Sequence, residues 1–154
     1  VGLVVFGGGP VAVLCTVPAL RQTLLKAHSM AYSDSASGRY VESQLFRKLG
    51  IDGQVQNKAH RVERIPVASE VAKGKYDLGF QQVSELLPVP GVTFVGKLPD
   101  DIQYITRFAG AVTQKADHPE QGKALLAFLS SPQAASVITA TGLTPVSAPR
   151  DTAR

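Results

Sequence analysis

The sequence contains no tryptophan, one cysteine and one methionine. A single thiol, Cys15, excludes a disulfide within the chain and a cysteine-based zinc site. Aromatic residues make up 6% of the chain, and its lysines and arginines are scattered rather than clustered. That leaves neither the basic stripe nor the stacking aromatics with which nucleic-acid binders grip their target, so no nucleic-acid partner is expected. No apolar run approaches the ~18 residues of a membrane-spanning helix. The 14 glycines and 10 prolines follow no period, which excludes a collagen-like repeat.

What is present is a globular composition. Hydrophobic residues are 44% and charged residues 18%, too apolar and too weakly charged for intrinsic disorder. The 154 residues correspond to about one domain, able to bury roughly two-thirds of its unfolded surface. Lys and Arg number 16 against 12 Asp and Glu, and the net charge of +4 gives a modest positive field that suits a small anion. The chain opens at Val1 with a strand already under way, which reads as a piece of a longer protein. The polar run 147–154 is expected to be a disordered tail.

Apolar spacing lays out the elements. Gly2 to Phe6 is a β-branched apolar run and reads as a buried strand, followed by the breaker Gly7-Gly8-Gly9-Pro10. Thr16 caps a helix expected from Val17 to about His28, with Val17, Leu20, Leu24 and Ala27 on one face. A strand over Ser29–Ser33 leads through the small polar loop Asp34-Ser35-Ala36-Ser37-Gly38 to a helix over Arg39–Leu49, closed by Gly50. A strand is expected near Val55–Lys58, a helix over Val67–Lys73, a strand over Tyr76–Gln81 and a short helix over Gln82–Leu87. Strands follow over Val92–Val95 and Ile102–Val112. Asp117 and Glu120 form a capping box before a helix to Leu129, and Ser131-Pro132 opens another to about Thr141. Alternating strands and helices argue for an α/β protein, a three-layer mixed sheet with helices on both faces.

In open α/β sheets ligands sit beyond the carboxyl ends of strands, and two strand ends here carry polar loops. At the first, Ser35, Ala36, Ser37 and Gly38 combine hydroxyls with the N–H groups of a helix start, and Arg39 offers a guanidinium fork to an oxyanion. The same residues also make an ordinary capped turn, with Ser37 as N-cap and Asp34 satisfying loop N–H groups. At the second, Gln81 and Gln82 either point an amide into a cleft or form a polar edge. His28, His60 and His118 lack metal-ligand spacing, and no metal or cofactor is expected. Cys15 reads as a small core residue and Asp100-Asp101 as a turn. Arg61 and Arg64, near Pro66, stand either at a cleft or on a solvated face.

The pieces Tyr32-Ser33-Asp34-Ser35-Ala36-Ser37-Gly38 and Gly79-Phe80-Gln81-Gln82, with Ser84-Glu85-Leu86-Leu87-Pro88 and the run from Gly122 to Ala135 closed by Thr141-Gly142-Leu143-Thr144-Pro145, carry a resemblance. Together they resemble the molybdate-binding-protein-like extracellular solute-binding proteins of ABC transporters, which are type 2 periplasmic binding proteins. The resemblance implies that residues 1–146 are the second lobe of such a protein plus its returning C-terminal helices, with most of the first lobe outside this chain. It implies a periplasmic protein that closes two lobes on a small anion and docks on a membrane permease, with no catalytic residue. It also implies ligand contacts at Ser37-Gly38 and at Gln82, a position where molybdate binders often carry tyrosine; an amide there and Arg39 suit a carboxylate. An isolated lobe is expected to self-associate through its exposed hinge face. Relatives of this subgroup include isomerases of small tricarboxylates, for which Asp34, Glu85 or His60 would be the general base. The effector-binding domain of a regulator is a third reading.

Overall fold

Residues 1–7 and 14–146 are described by the structure, a computed structural model. Gly8, Gly9 and Pro10 of the breaker and the tail 147–154 lie outside the described residues. The chain divides into two units, Val1–Thr106 and Arg107–Arg154.

The first unit is built on a five-stranded sheet: β1 (Gly2–Phe6), β2 (Met30–Ser33), β3 (Ala59–Val62), β4 (Leu78–Gln81) and β5 (Val92–Lys97), in the order β3-β2-β4-β1-β5. β2 runs parallel to β3 and β4, whereas β1 is antiparallel to both β4 and β5. Strand side chains alternate between faces, and this alternation divides the core in two. Leu3 and Val5 of β1, Met30 and Tyr32 of β2, and Leu78 and Phe80 of β4 share one cluster with Leu20 and Leu24 of α1 (Val17–Lys26). Val4 and Ala31 face the other way, against Val67 and Val71 of α5 (Val67–Ala72) and Leu86 of α6 (Val83–Leu86). The sheet is therefore mixed, with helices on both faces, as the sequence pattern implies. Each fully buried leucine stabilises this arrangement by about 1.5–3 kcal/mol.

Local chemistry sets the helix limits. The Thr16 hydroxyl accepts the Ala19 N–H at 3.3 Å and starts α1. Lys58 Nζ closes the other end, donating to the carbonyls of Leu25 and Ala27 at 2.7 and 2.8 Å, where a cation also meets the negative end of the helix dipole. After β2, α2 (Ala36–Tyr40), a π-helical turn (Val41–Leu45) and α3 (Phe46–Lys48) run on as one rod. Phe46 meets Tyr32 and Phe80 edge-on, with ring centres 6.4 and 6.5 Å apart, and fixes the rod on the sheet.

Four expectations about the elements are corrected. The rod begins at Ala36 rather than Arg39, and Ser35 rather than Ser37 is its N-cap residue. The Val55–Lys58 strand is replaced by the end of a short helix, α4 (Asp52–Val55), followed by β3 (Ala59–Val62), because Val55 turns inward and is 1% exposed. No strand forms over Ile102–Val112: Asp100–Ile102 is a 3₁₀ turn, and the β-branched, aromatic run after it has no partner strand among the described residues to complete its hydrogen bonds.

The second unit contains α7 (Pro119–Leu129) and α8 (Pro132–Ala140). The capping box of Asp117 and Glu120 does not form. Pro119 takes the first helical position, His118 becomes the N-cap residue, and Glu120 is drawn to Lys123 at 3.0 Å. Ser131 and Pro132 open α8 as expected, and Gly142 ends it with φ 84°.

Candidate functional site

Because β2, β3 and β4 are parallel, their carboxyl ends emerge along one edge of the sheet. A cleft of about 540 Å³ opens there. Its wall is formed by Ser33, Asp34 and Ser35 after β2, by Arg64, Ile65 and Pro66 between β3 and α5, and by Gln81, Ser84, Glu85, Pro88 and Val89 from the end of β4 onward. That space is many times the roughly 30 Å³ of a water molecule and falls in the range of small-molecule pockets.

Three serines meet at the start of the rod. Ser33 Oγ lies 2.7 Å from Ser35 Oγ and 3.3 Å from Ser37 Oγ, and the last two are 3.1 Å apart. Ser35 sits at the N-cap with extended backbone, yet its hydroxyl makes no capping bond and joins the triangle instead. The first bond of the rod runs from the Arg39 N–H to the Ser35 carbonyl at 3.0 Å, so the N–H groups of Ala36, Ser37 and Gly38 precede it. Gly38 makes the crowding possible: a β-carbon there would stand 1.6 Å from the Ser33 carbonyl oxygen. The rod therefore presses its first turn onto the end of β2, bringing hydroxyl donors and helix-start N–H groups together, the donor set an anion requires.

The residues expected at the second strand end separate. Gln81 is 7% exposed, and its amide is committed on both sides. Its Oε1 accepts the Val67 N–H at 2.9 Å, and its Nε2 donates to the Glu85 carboxylate. It ties the end of β4 to the starts of α5 and α6. Gln82 is half-buried, donates to Ser84 Oγ at 3.4 Å and does not line the cleft. Ala36 and Arg39 are exposed on the rod, and neither lines the cleft.

The cation on the cleft wall is Arg64. It is exposed, and at φ 63° it is the only non-glycine residue with positive φ among the described residues. That conformation costs an L-residue of order 1–2 kcal/mol. Arg61, by contrast, is paired with Glu63 at 2.9 Å. Of the possible bases, Asp34 and Glu85 line the cleft, whereas exposed His60 lies against the Tyr76 ring with centres 5.5 Å apart. Tyr32, one residue before the triangle, has its phenol pushed up to about 12, chiefly by burial and then by the nearby Glu42 carboxylate. Cys15, expected in the core, is exposed. Among the described residues no group of three His, Cys, Asp or Glu side chains could hold a metal ion, and no helix is long and apolar enough to cross a membrane.

Of the residues singled out in the sequence, Ser35 and Gln81 line the cleft together with Asp34 and Glu85, whereas Ala36, Ser37, Gly38, Arg39 and Gln82 do not, and the sequence left Arg64 between a cleft and a solvated face. The available signal was topological: parallel strands place the residues after β3 beside those after β2 and β4.

The profile of the family described as bacterial extracellular solute-binding protein matches residues 3–144. A curated relative, aconitate isomerase from a Pseudomonas species, is 44% identical over 148 residues, which are 96% of this chain and 56% of the relative. The chain thus spans about half the length of that relative. Among solved structures, a substrate-binding domain assigned to a molybdenum ABC transporter from Clostridium difficile superposes with a TM-score of 0.67 at 16% identity, over 94% of this chain and 62% of that one. At that identity the likeness concerns the fold.

Proposed function

Since the chain belongs to the bacterial extracellular solute-binding protein family, we propose that it binds a small anion in the cleft beyond β2, β3 and β4, as the second lobe of a periplasmic importer component that closes on its solute. The observation that carries this reading is the triangle of Ser33, Ser35 and Ser37 hydroxyls at the start of the helical rod. Three neutral donors, with helix-start N–H groups beside them, bind an anion by turning their protons from one another toward it. Gln81 holds the wall in place rather than touching the solute, and Arg64 supplies positive charge. Titration of the labelled chain with citrate, aconitate, sulfate and molybdate, followed by backbone amide shifts, tests it. Saturable shifts at Ser35–Arg39 support the reading, and the absence of shifts there with every anion overturns it.

A second reading is favoured by the 44% identity to an aconitate isomerase and by two carboxylates on the cleft wall, Asp34 and Glu85. In it, one carboxylate removes a proton from the methylene carbon next to the double bond of a bound unsaturated acid. The double bond moves one carbon along, and the proton returns at its far end, so nothing is gained or lost. Incubating this chain, and a protein of the full length of its relative, with cis- or trans-aconitate in D₂O checks it. Isomerisation with deuterium entering at carbon supports catalysis; binding without exchange in the full-length protein rejects it.

A further inference from the structure

Arg64 combines two features. Its backbone stands at φ 63°, a conformation that glycine adopts without strain and arginine does not. Its side chain lines the cleft with no hydrogen bond or ion pair among the described residues, while Arg61 three residues earlier is neutralised by Glu63. Ser33 and Ser35 supply neutral donors on another part of the same wall, with buried Ser37 behind them. Two acidic side chains, Asp34 and Glu85, share that wall, so an anion lying on the serines alone meets negative charge with nothing to offset it.

Resting on the reading of the cleft as an anion site, we infer that Arg64 is its specificity-determining residue and selects a ligand carrying at least two carboxylates on a carbon chain over a compact tetrahedral oxyanion. Two anchor regions, the serine hydroxyls and a guanidinium, reward a ligand with two anionic ends. The planar fork of the guanidinium meets the two oxygens of a carboxylate with parallel N–H bonds. The cleft of about 540 Å³ has room for such a chain, whereas a tetrahedral ion occupies one anchor or the other. The backbone strain fits this role, since a residue chosen only for the turn would be glycine.

The test compares wild type with Arg64→Gly and Arg64→Lys, using citrate, trans-aconitate, acetate, sulfate and molybdate as probes in calorimetry and amide-shift titration. Arg64→Gly keeps the φ without strain, so its thermal midpoint rises while its affinity for citrate and aconitate falls roughly tenfold or more. Its affinity for acetate, sulfate and molybdate stays within about twofold, since those ligands use one anchor. Arg64→Lys keeps the charge without the fork and falls between. Citrate binding by Arg64→Gly as tight as wild type overturns the inference and leaves the anion site standing. So does an equal loss for every anion, which would make Arg64 a general source of field. If Arg64→Gly does not fold, undiminished citrate binding by Arg64→Lys overturns it. If no anion shifts Ser35–Arg39 in wild type, both the site and the inference fall.

Discussion

Gly38 and the Ser33 carbonyl share a space with no room for a side chain: a β-carbon on Gly38 would lie 1.6 Å from that oxygen. The contact is with backbone at the end of a central strand, so it cannot be relieved by a rotamer change. Replacing Gly38 with alanine is expected to push the start of the helical rod off β2 and to open the serine triangle. The expected loss is about 1–3 kcal/mol, as for an overpacked core, read as a lower urea midpoint together with lost anion binding. A variant with wild-type stability and binding would show that the rod does not press on β2.

The serine hydroxyls allow a gentler change. Ser35→Ala and Ser37→Ala each remove donors without adding bulk. Each is expected to weaken anion binding by about 0.5–1.5 kcal/mol, up to roughly tenfold, with thermal unfolding little changed. Isothermal calorimetry on the two single variants and the double variant checks this. The double variant is expected to depart from the sum of the singles, because Ser35 and Ser37 hydroxyls lie 3.1 Å apart.

Gln81→Leu separates support from contact. It keeps the volume but leaves the buried Val67 N–H without its acceptor and the Glu85 carboxylate without its donor. An orphaned buried donor costs about 1–3 kcal/mol. The variant is expected to unfold at lower denaturant concentration, and a circular dichroism melt in urea measures it.

Glu70 makes the fold sensitive to acid. Its side chain is 7% exposed and lies between Lys73 at 2.8 Å and Lys75 at 3.0 Å. Hydrogen bonds from Lys73 and then Lys75 hold its carboxyl below the usual glutamate value, and the bond to Glu70 raises the Lys75 ammonium above its own. A depressed carboxylate stabilises the fold above its unfolded-state value, and that contribution is lost as pH falls through the folded-state one. A raised ammonium contributes below its unfolded-state value and fades as pH rises through the folded one. Wild type is therefore expected to lose stability below the ordinary glutamate range more steeply than Glu70→Gln. Urea midpoints taken between about pH 6 and pH 2 would show the two curves converging in acid.

Much of this was legible in the chain because local rules and tertiary packing agree. β1 begins and ends as its apolar run dictates, Thr16 caps α1, and Gly50, Gly74 and Gly142 close helices at positive φ. Where they disagree, partners decide. Ile105 and Phe108 belong to a run that reads as a strand, yet they are 77% and 67% exposed and no neighbouring strand takes them up. The serine loop was visible from composition, but Ser35 rather than Ser37 heads the helix, because Gly38 lets the rod begin earlier, directly over Ser33. Arg64 was undecided for a different reason: whether a residue after β3 faces a cleft depends on which strands lie beside β3 and in which direction they run.

The placement of β1 sets a timetable for folding. Its Leu3-Val4-Val5 core lies between β4 and β5, with Gly2 opposite both Gln81 and Lys97. At ribosomal rates of about 5–20 residues per second, the strand waits on the order of ten seconds for its first partner to be made. During that time β2 and β3 can already pair across a much shorter stretch of chain. Closing the long loop to β1 carries the larger entropy cost of the two, as for other sheets joined by distant pairings. Until then β1 is an apolar, β-branched strand with both edges open, a template on which another chain can pair.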